Sequence, residues 1–156
     1  MARVTKLGNG GAVHISVDGS GNYETVAEIK SWSVDETVDV LDTTTMTDAG
    51  VRKYTAGHKT WTGTADLYIP YTWTDTDSSG TLNAGDTLVE QLTEEDSLVT
   101  GITVGTTYDW KFYADDSVDT FESYNGKGIV TSVSRSASHD GMVEMTVTIQ
   151  GTSLLT

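Results

Sequence analysis

Lys59-Thr60-Trp61-Thr62-Gly63-Thr64-Ala65-Asp66-Leu67-Tyr68-Ile69 decides the fold class. Trp61, Gly63, Ala65, Leu67 and Ile69 fall on one side of an extended chain, with Thr60, Thr62, Thr64, Asp66 and Tyr68 on the other. Unbroken period two, rich in β-branched residues, describes a strand with one face in a core and one in water. The pattern recurs on both sides of this stretch. From Glu28 to Leu41 the even positions Trp32, Val34, Val38 and Val40 oppose Ser31, Ser33, Asp35, Thr37 and Asp39. Near the end, Val143, Met145, Val147 and Ile149 oppose Glu144, Thr146, Thr148 and Gln150. Shorter runs at 12–17, 108–113 and 128–134 read as further strands.

One segment reads as a helix. Between Thr87 and Leu98, Leu88, Val89, Leu92 and Leu98 make an apolar stripe, and Glu90, Glu94, Glu95 and Asp96 take the wet face. Thr87 with Glu90 fits a capping box. The expected fold is therefore all-β, a single antiparallel β-sandwich or barrel with one flanking α-helix at about residues 87–98.

A chain of 156 residues buries about 70% of the surface it exposes when unfolded, enough for one core without staples. The absence of cysteine removes disulfides, thiolate zinc sites and cysteine nucleophiles. Nine basic against 23 acidic residues give a net charge of −14. So few scattered cations cannot form a face that grips phosphates, which excludes tight nucleic-acid binding. Met1-Ala2-Arg3-Val4-Thr5-Lys6 has no apolar stretch behind its cations, so no signal peptide is expected, and no run of ~18 apolar residues spans a membrane. Residues 1–11, ending in Gly8-Asn9-Gly10-Gly11, read as a flexible arm.

Nothing here reads as an enzyme. His14, His58 and His139 lack paired ligand spacing, and Ser138-His139-Asp140 are chain neighbours that cannot converge on one substrate atom. Two polar segments remain. Residues 42–58 interrupt the strand pattern for longer than connections in compact domains usually run, which marks a partner-binding loop. Asp75-Thr76-Asp77-Ser78-Ser79-Gly80-Thr81-Leu82-Asn83-Ala84-Gly85-Asp86 aligns with a twelve-residue calcium loop. Asp75, Asp77, Ser79, the Thr81 carbonyl, Asn83 and Asp86 take the ligand positions, and Gly80 takes the sharp bend. Aspartate at the twelfth position, where a bidentate glutamate is usual, predicts weak calcium binding. The same residues also suit a run of Asx turns leading into a helix N-terminus.

Several segments together resemble the major tail tube proteins of long-tailed bacteriophages, within the wider tube-ring superfamily that includes secretion systems. They are Ile29-Lys30-Ser31-Trp32-Ser33, Asp42-Thr43-Thr44, Asp48-Ala49-Gly50, Arg52-Lys53-Tyr54, Gly57-His58-Lys59-Thr60-Trp61-Thr62-Gly63, the run from Gly128 to Ser134, Asp140-Gly141 and Gln150-Gly151-Thr152. The resemblance runs from about residue 25 to the end and omits 70–86, a loop such proteins do not generally carry. It implies subunits that self-assemble into hexameric rings, stacked as a virion tail tube that conducts DNA during ejection without holding it. It further implies assembly in the host cytoplasm and association with tail tip, tape-measure and tail terminator proteins. The 42–58 loop would then order against neighbouring subunits. Met46, Val51 and Tyr54 would be its apolar anchors, and Asp48, Arg52 and Lys53 its polar partners. The three apolar residues equally suit a small satellite core beneath the loop. Asp35, Glu36 and Asp39 are candidates for a lumen that repels the polyanion. Contractile-tail inner tubes, secretion-system rings and gene transfer agent tails share this subunit type. The rival outside the family is a calcium-clipped adhesion or carbohydrate-binding module, with Tyr71 and Trp73 stacking on sugar rings.

Overall fold

The computed structural model describes residues 10–17, 21–26, 28–69, 71–90, 102–115, 123–139 and 141–156. Its strands are β1 (Ala12–Val17), β2 (Glu24–Thr25), β3 (Ile29–Asp42), β4 (Tyr54–Tyr68), β5 (Tyr71–Thr74), β6 (Thr87–Glu90), β7 (Thr107–Tyr113), β8 (Ser123–Ser136) and β9 (Glu144–Gly151). Seven of them form one sheet in the order β2-β1-β7-β8-β9-β4-β3, with every neighbouring pair antiparallel. β5 and β6 form a separate hairpin.

The sheet folds over on itself, and β8 turns the corner. It pairs with β7 from Ser123 to Ile129 and with β9 from Gly128 to Ser136, and a bulge between Val130 and Ser132 interrupts the pairing with β9. The fold brings edge strand β3 against β1 and β7. The Trp32 indole N–H donates to the Tyr113 carbonyl at 3.0 Å, and the Trp32 ring lies 5.6 Å from that of Phe112. Between the two halves sit Val13, Ile15, Trp61, Leu67, Tyr108, Trp110, Phe112, Val130, Met145, Val147 and Ile149, all buried. The inward residues of β4 and β9 are those assigned to the core by their alternation, and β7 alternates in the same way.

Trp61 is the centre of this packing. Three glycines make room for its indole: a Cβ on Gly151 would lie 2.3 Å from Nε1, one on Gly126 2.8 Å from Cζ2, and one on Gly128 3.0 Å from Cη2. The indole N–H donates to the Ser153 carbonyl at 2.8 Å, which satisfies its buried donor and ties down the last segment of the chain. That segment continues along β8, where Asn125 and Thr156 exchange both backbone hydrogen bonds.

Two expectations change. Thr87–Glu90, read as the first turn of a helix, is strand β6, paired with β5 from Tyr71↔Glu90 to Thr74↔Thr87. Residues 91–98 of that helix lie outside the described residues. The 42–58 segment is shorter as a loop than its sequence suggests, because β3 runs through Asp42 and β4 begins at Tyr54. The flexible arm at 1–11 lies outside the described residues up to residue 9, and Gly10 bridges to Asp115.

Candidate functional site: the β3–β4 arm and the β5–β6 loop

β9 pairs with β4 only from Thr62 to Tyr68. Beyond that point β3 and β4 pair with each other alone, from Asp35↔Thr62 out to Asp42↔Tyr54. A two-stranded ribbon with nothing behind it is only marginally stable in water. Here both faces are wet: Val38, Val40, Leu41 and Tyr54 are all exposed. Thr37 and Thr60 share a cross-strand hydroxyl hydrogen bond at 3.0 Å.

The tip, residues 43–53, is a built turn with Asp48 at its hub. The Asp48 carboxylate accepts the Thr45 backbone N–H at 2.6 Å and the Thr45 hydroxyl at 2.9 Å, and it forms an ion pair with Lys53. The bond from Lys53, together with those from Thr45, holds its carboxyl below the usual carboxylate range. Thr44 closes the base of the turn: its hydroxyl oxygen accepts the Lys53 N–H at 2.9 Å, and its own N–H donates to Asp42 at 2.9 Å. Ala49 and Gly50 complete the bend with φ of 50° and 81°. With its polar groups turned inward, the tip presents Met46 at 104% and Val51 at 65% of full exposure. These side chains, with Tyr54, therefore form no satellite core within the subunit. Arg52 is exposed beside them.

At the root of the arm lies a groove of about 560 Å³ walled by Trp32, Val34, Tyr124, Leu155 and Thr156, with Glu36 on its rim. The Trp32 and Tyr124 rings meet edge to face at 6.2 Å. Sequence patterning had placed Trp32 and Val34 in the core, and they do pack against it, half-buried. Tyr124 and Leu155 gave no periodic signal, because they reach the groove through the course of β8 and the chain end.

The second loop joins β5 to β6. Carboxylate oxygens of Asp75, Asp77 and Asp86 lie within 4.8 Å of one another, the only such cluster among the described residues. Asp75 accepts the N–H groups of Ser79 and Gly80 at 3.1 and 2.7 Å, and Gly80 supplies the bend with φ of 73°. Asp86 accepts the N–H groups of Thr76 and Asn83 at 3.0 and 2.9 Å. The Asn83 amide nitrogen donates to Asp77 and to the Ser79 hydroxyl at 2.9 Å each, and at 3.4 Å to the Thr81 carbonyl. All six predicted ligand residues are thus drawn into one small network. The Asp77 carboxyl is held low by Ser79 and Asn83, and that of Asp86 by the N–H groups of Asn83 and Thr76. Tyr71, at the start of β5, is exposed, while the side chain of Trp73 lies outside the described residues.

The three histidines lie in different parts of the fold. His14 packs on Tyr113 with ring centres 4.7 Å apart, His58 is exposed on the arm, and His139 belongs to the turn before β9. Asp140 of that turn lies outside the described residues. Among the described residues, no helix is long and apolar enough to cross a membrane.

No protein-family model and no curated protein sequence matches the chain. Solved structures do match it. The tail of an empty gene transfer agent particle, of C6 symmetry, aligns with a TM-score of 0.60 at 14% identity, covering 97% of this chain and 98% of that one. The SPP1 tail tube aligns with a TM-score of 0.53 at 12% identity, over 96% of this chain and 77% of that one. A chain of the six-fold symmetrised anti-feeding prophage baseplate gives 0.51 at 6% identity, over 97% and 95%. These matches run along nearly the whole chain: this protein has the fold of the tail and tail tube proteins.

Proposed function

We propose that the chain is a structural subunit of a virion tail tube. Copies close into hexameric rings, and the rings stack into a conduit for DNA ejection. The observation that carries this reading is the combination of a tail-protein fold along nearly the whole chain with an arm whose apolar side chains stand in water. Exposed apolar residues on a built, polar-satisfied turn suit a contact with another subunit. Met46, Val51, Arg52 and Tyr54 are what a neighbour meets, while Asp48 and Lys53 hold the shape that presents them. The net charge of −14 suits a conduit, since contacts with successive phosphates would add up and stall the strand. Asp35 and Asp39, which alternate away from Trp32 and Val34, are the lumen candidates, while Glu36 lines the groove at the root of the arm. The role is structural rather than catalytic. The remaining partners are the tail tip, tape-measure and tail terminator proteins.

In the same reading the β5–β6 loop takes a calcium ion. The residues present fit one: Asp75, Asp77, Ser79, the Thr81 carbonyl, Asn83 and Asp86 offer hard oxygen donors, and three carboxylates lie close together with no lysine or arginine in the loop. A cation there would relieve the repulsion among the carboxylates and clip the β5–β6 hairpin. Calorimetric titration should show binding between about 10⁻⁴ and 10⁻³ M; silence down to millimolar calcium removes the claim.

Negative-stain electron microscopy of concentrated protein, with and without millimolar calcium, tests the main reading. Rings or hollow tubes are expected. A strictly monomeric field together with binding on a sugar array would replace it with the carbohydrate-binding module.

A further inference from the structure

We propose that the groove at the root of the arm is the receptor for the arm tip of a second copy of this chain. The proposal rests on the tube-subunit reading and specifies one of its contacts. The groove and the tip are complementary in two respects. The walls Trp32, Val34, Tyr124 and Leu155 are apolar, and the tip presents Met46 and Val51 to water. Methionine is flexible and polarizable, suited to filling an irregular aromatic-lined cleft. Glu36 lines the groove on the same side of β3 as Trp32 and Val34, and the tip presents Arg52 to water, the Lys53 charge being taken up by Asp48. In a chain of net charge −14, two copies repel at most orientations, so a pairing of Arg52 at the tip with Glu36 at the root favours one.

A second copy is the required occupant because the subunit's own tip cannot fold back. Trp32 and Asp42 are ten residues apart on a strand that rises about 3.3 Å per residue, which separates groove from tip by roughly 30 Å. Pairing with β4 from Trp32↔Ala65 to Asp42↔Tyr54, interrupted by one irregularity between Val38 and Val40, keeps that strand extended. The tip is already ordered by Thr44, Thr45, Asp48 and Lys53, so docking demands little further ordering. Because tip and groove are different surfaces of one chain, the contact is heterologous. It leaves a free tip and a free groove at the ends of every assembly, the geometry that generates closed rings or continuing stacks.

The absence of cysteine makes the test clean. Met46→Cys and Val34→Cys are made as single variants, mixed and oxidised. A disulfide-linked heterodimer is expected, as is none from Met46→Cys mixed with Tyr71→Cys. Independently, Glu36→Arg and Arg52→Glu should each cut tube yield by about tenfold or more, and the double variant should recover it. Tubes in the micrograph without the heterodimer would overturn the groove assignment and leave the tube reading intact. A heterodimer without tubes would uphold the contact and count against the tube. Protection of Val34→Cys from a thiol reagent in dilute monomer would mean that the chain covers its own groove, and would also overturn the proposal.

Discussion

The arm tip and the β5–β6 loop are built by the same local chemistry and end in opposite states. Each is a polar turn in which aspartates accept backbone N–H groups from residues two to five positions away. At the tip, the hub carboxylate Asp48 meets a lysine, and the charge is balanced inside the turn. What is left to face outward is apolar: Met46 and Val51. The β5–β6 loop itself contains no lysine or arginine, and Asp75, Asp77 and Asp86 crowd together there. One loop is complete in its polar groups and lacks a hydrophobic partner; the other lacks a positive charge. The presence or absence of a single lysine separates a surface suited to protein from a surface suited to an ion.

The largest effect should come from neither loop, which defines the baseline. Trp61→Ala should destabilise the fold by about 3–5 kcal/mol in urea unfolding, since it empties the glycine-lined centre of the core. Removing residues 44–56 should leave a folded monomer with urea stability within about 1 kcal/mol of the parent but abolish tubes in the micrograph. Tubes from that deletion would show that the tip is not a contact. Asp75→Asn should weaken calcium binding by about tenfold or more in calorimetry and leave the tip unaffected; an unchanged isotherm would move the ion elsewhere.

The smallest effect is a pH dependence confined to the tip. The Asp48 carboxyl is depressed in the folded state by Lys53 and Thr45, so its contribution to tip order is complete above the ordinary carboxylate value near ~4. It is lost as pH falls through the lower folded value. Hydrogen exchange at the Lys53 amide should therefore stay slow from neutral pH down to that point and accelerate below it, beyond the intrinsic pH trend, whereas Asp48→Asn should remove the transition.

How legible all this was in the sequence depends on burial. β4, β7 and β9 were readable because one face of each is in the core, and alternation records exactly that kind of one-sided environment: Trp61 and Leu67, Trp110 and Phe112, Val147 and Ile149. Tyr54-Thr55-Ala56-Gly57-His58 is also strand, but both of its faces are wet, so no alternation marks it. The helix assignment failed at Thr87–Glu90 for a different reason. Leu88 and Val89 are adjacent, and a short apolar pair fits either period; pairing with β5, a tertiary fact, decides it. The calcium-loop spacing put together six residues that do share one network. The groove was not readable, because Trp32, Tyr124 and Leu155 come from three distant segments that only the fold-over of the sheet brings together.

The tie between the chain end and β8 has a practical side. Asn125 and Thr156 are locked backbone to backbone, and Leu155 and Thr156 form part of the groove wall. Any affinity tag or fluorescent fusion joined after Thr156 thus leaves the body from the rim of that cleft and competes for the space in front of it. Labels intended to leave subunit contacts undisturbed belong at a site remote from both ends of the arm.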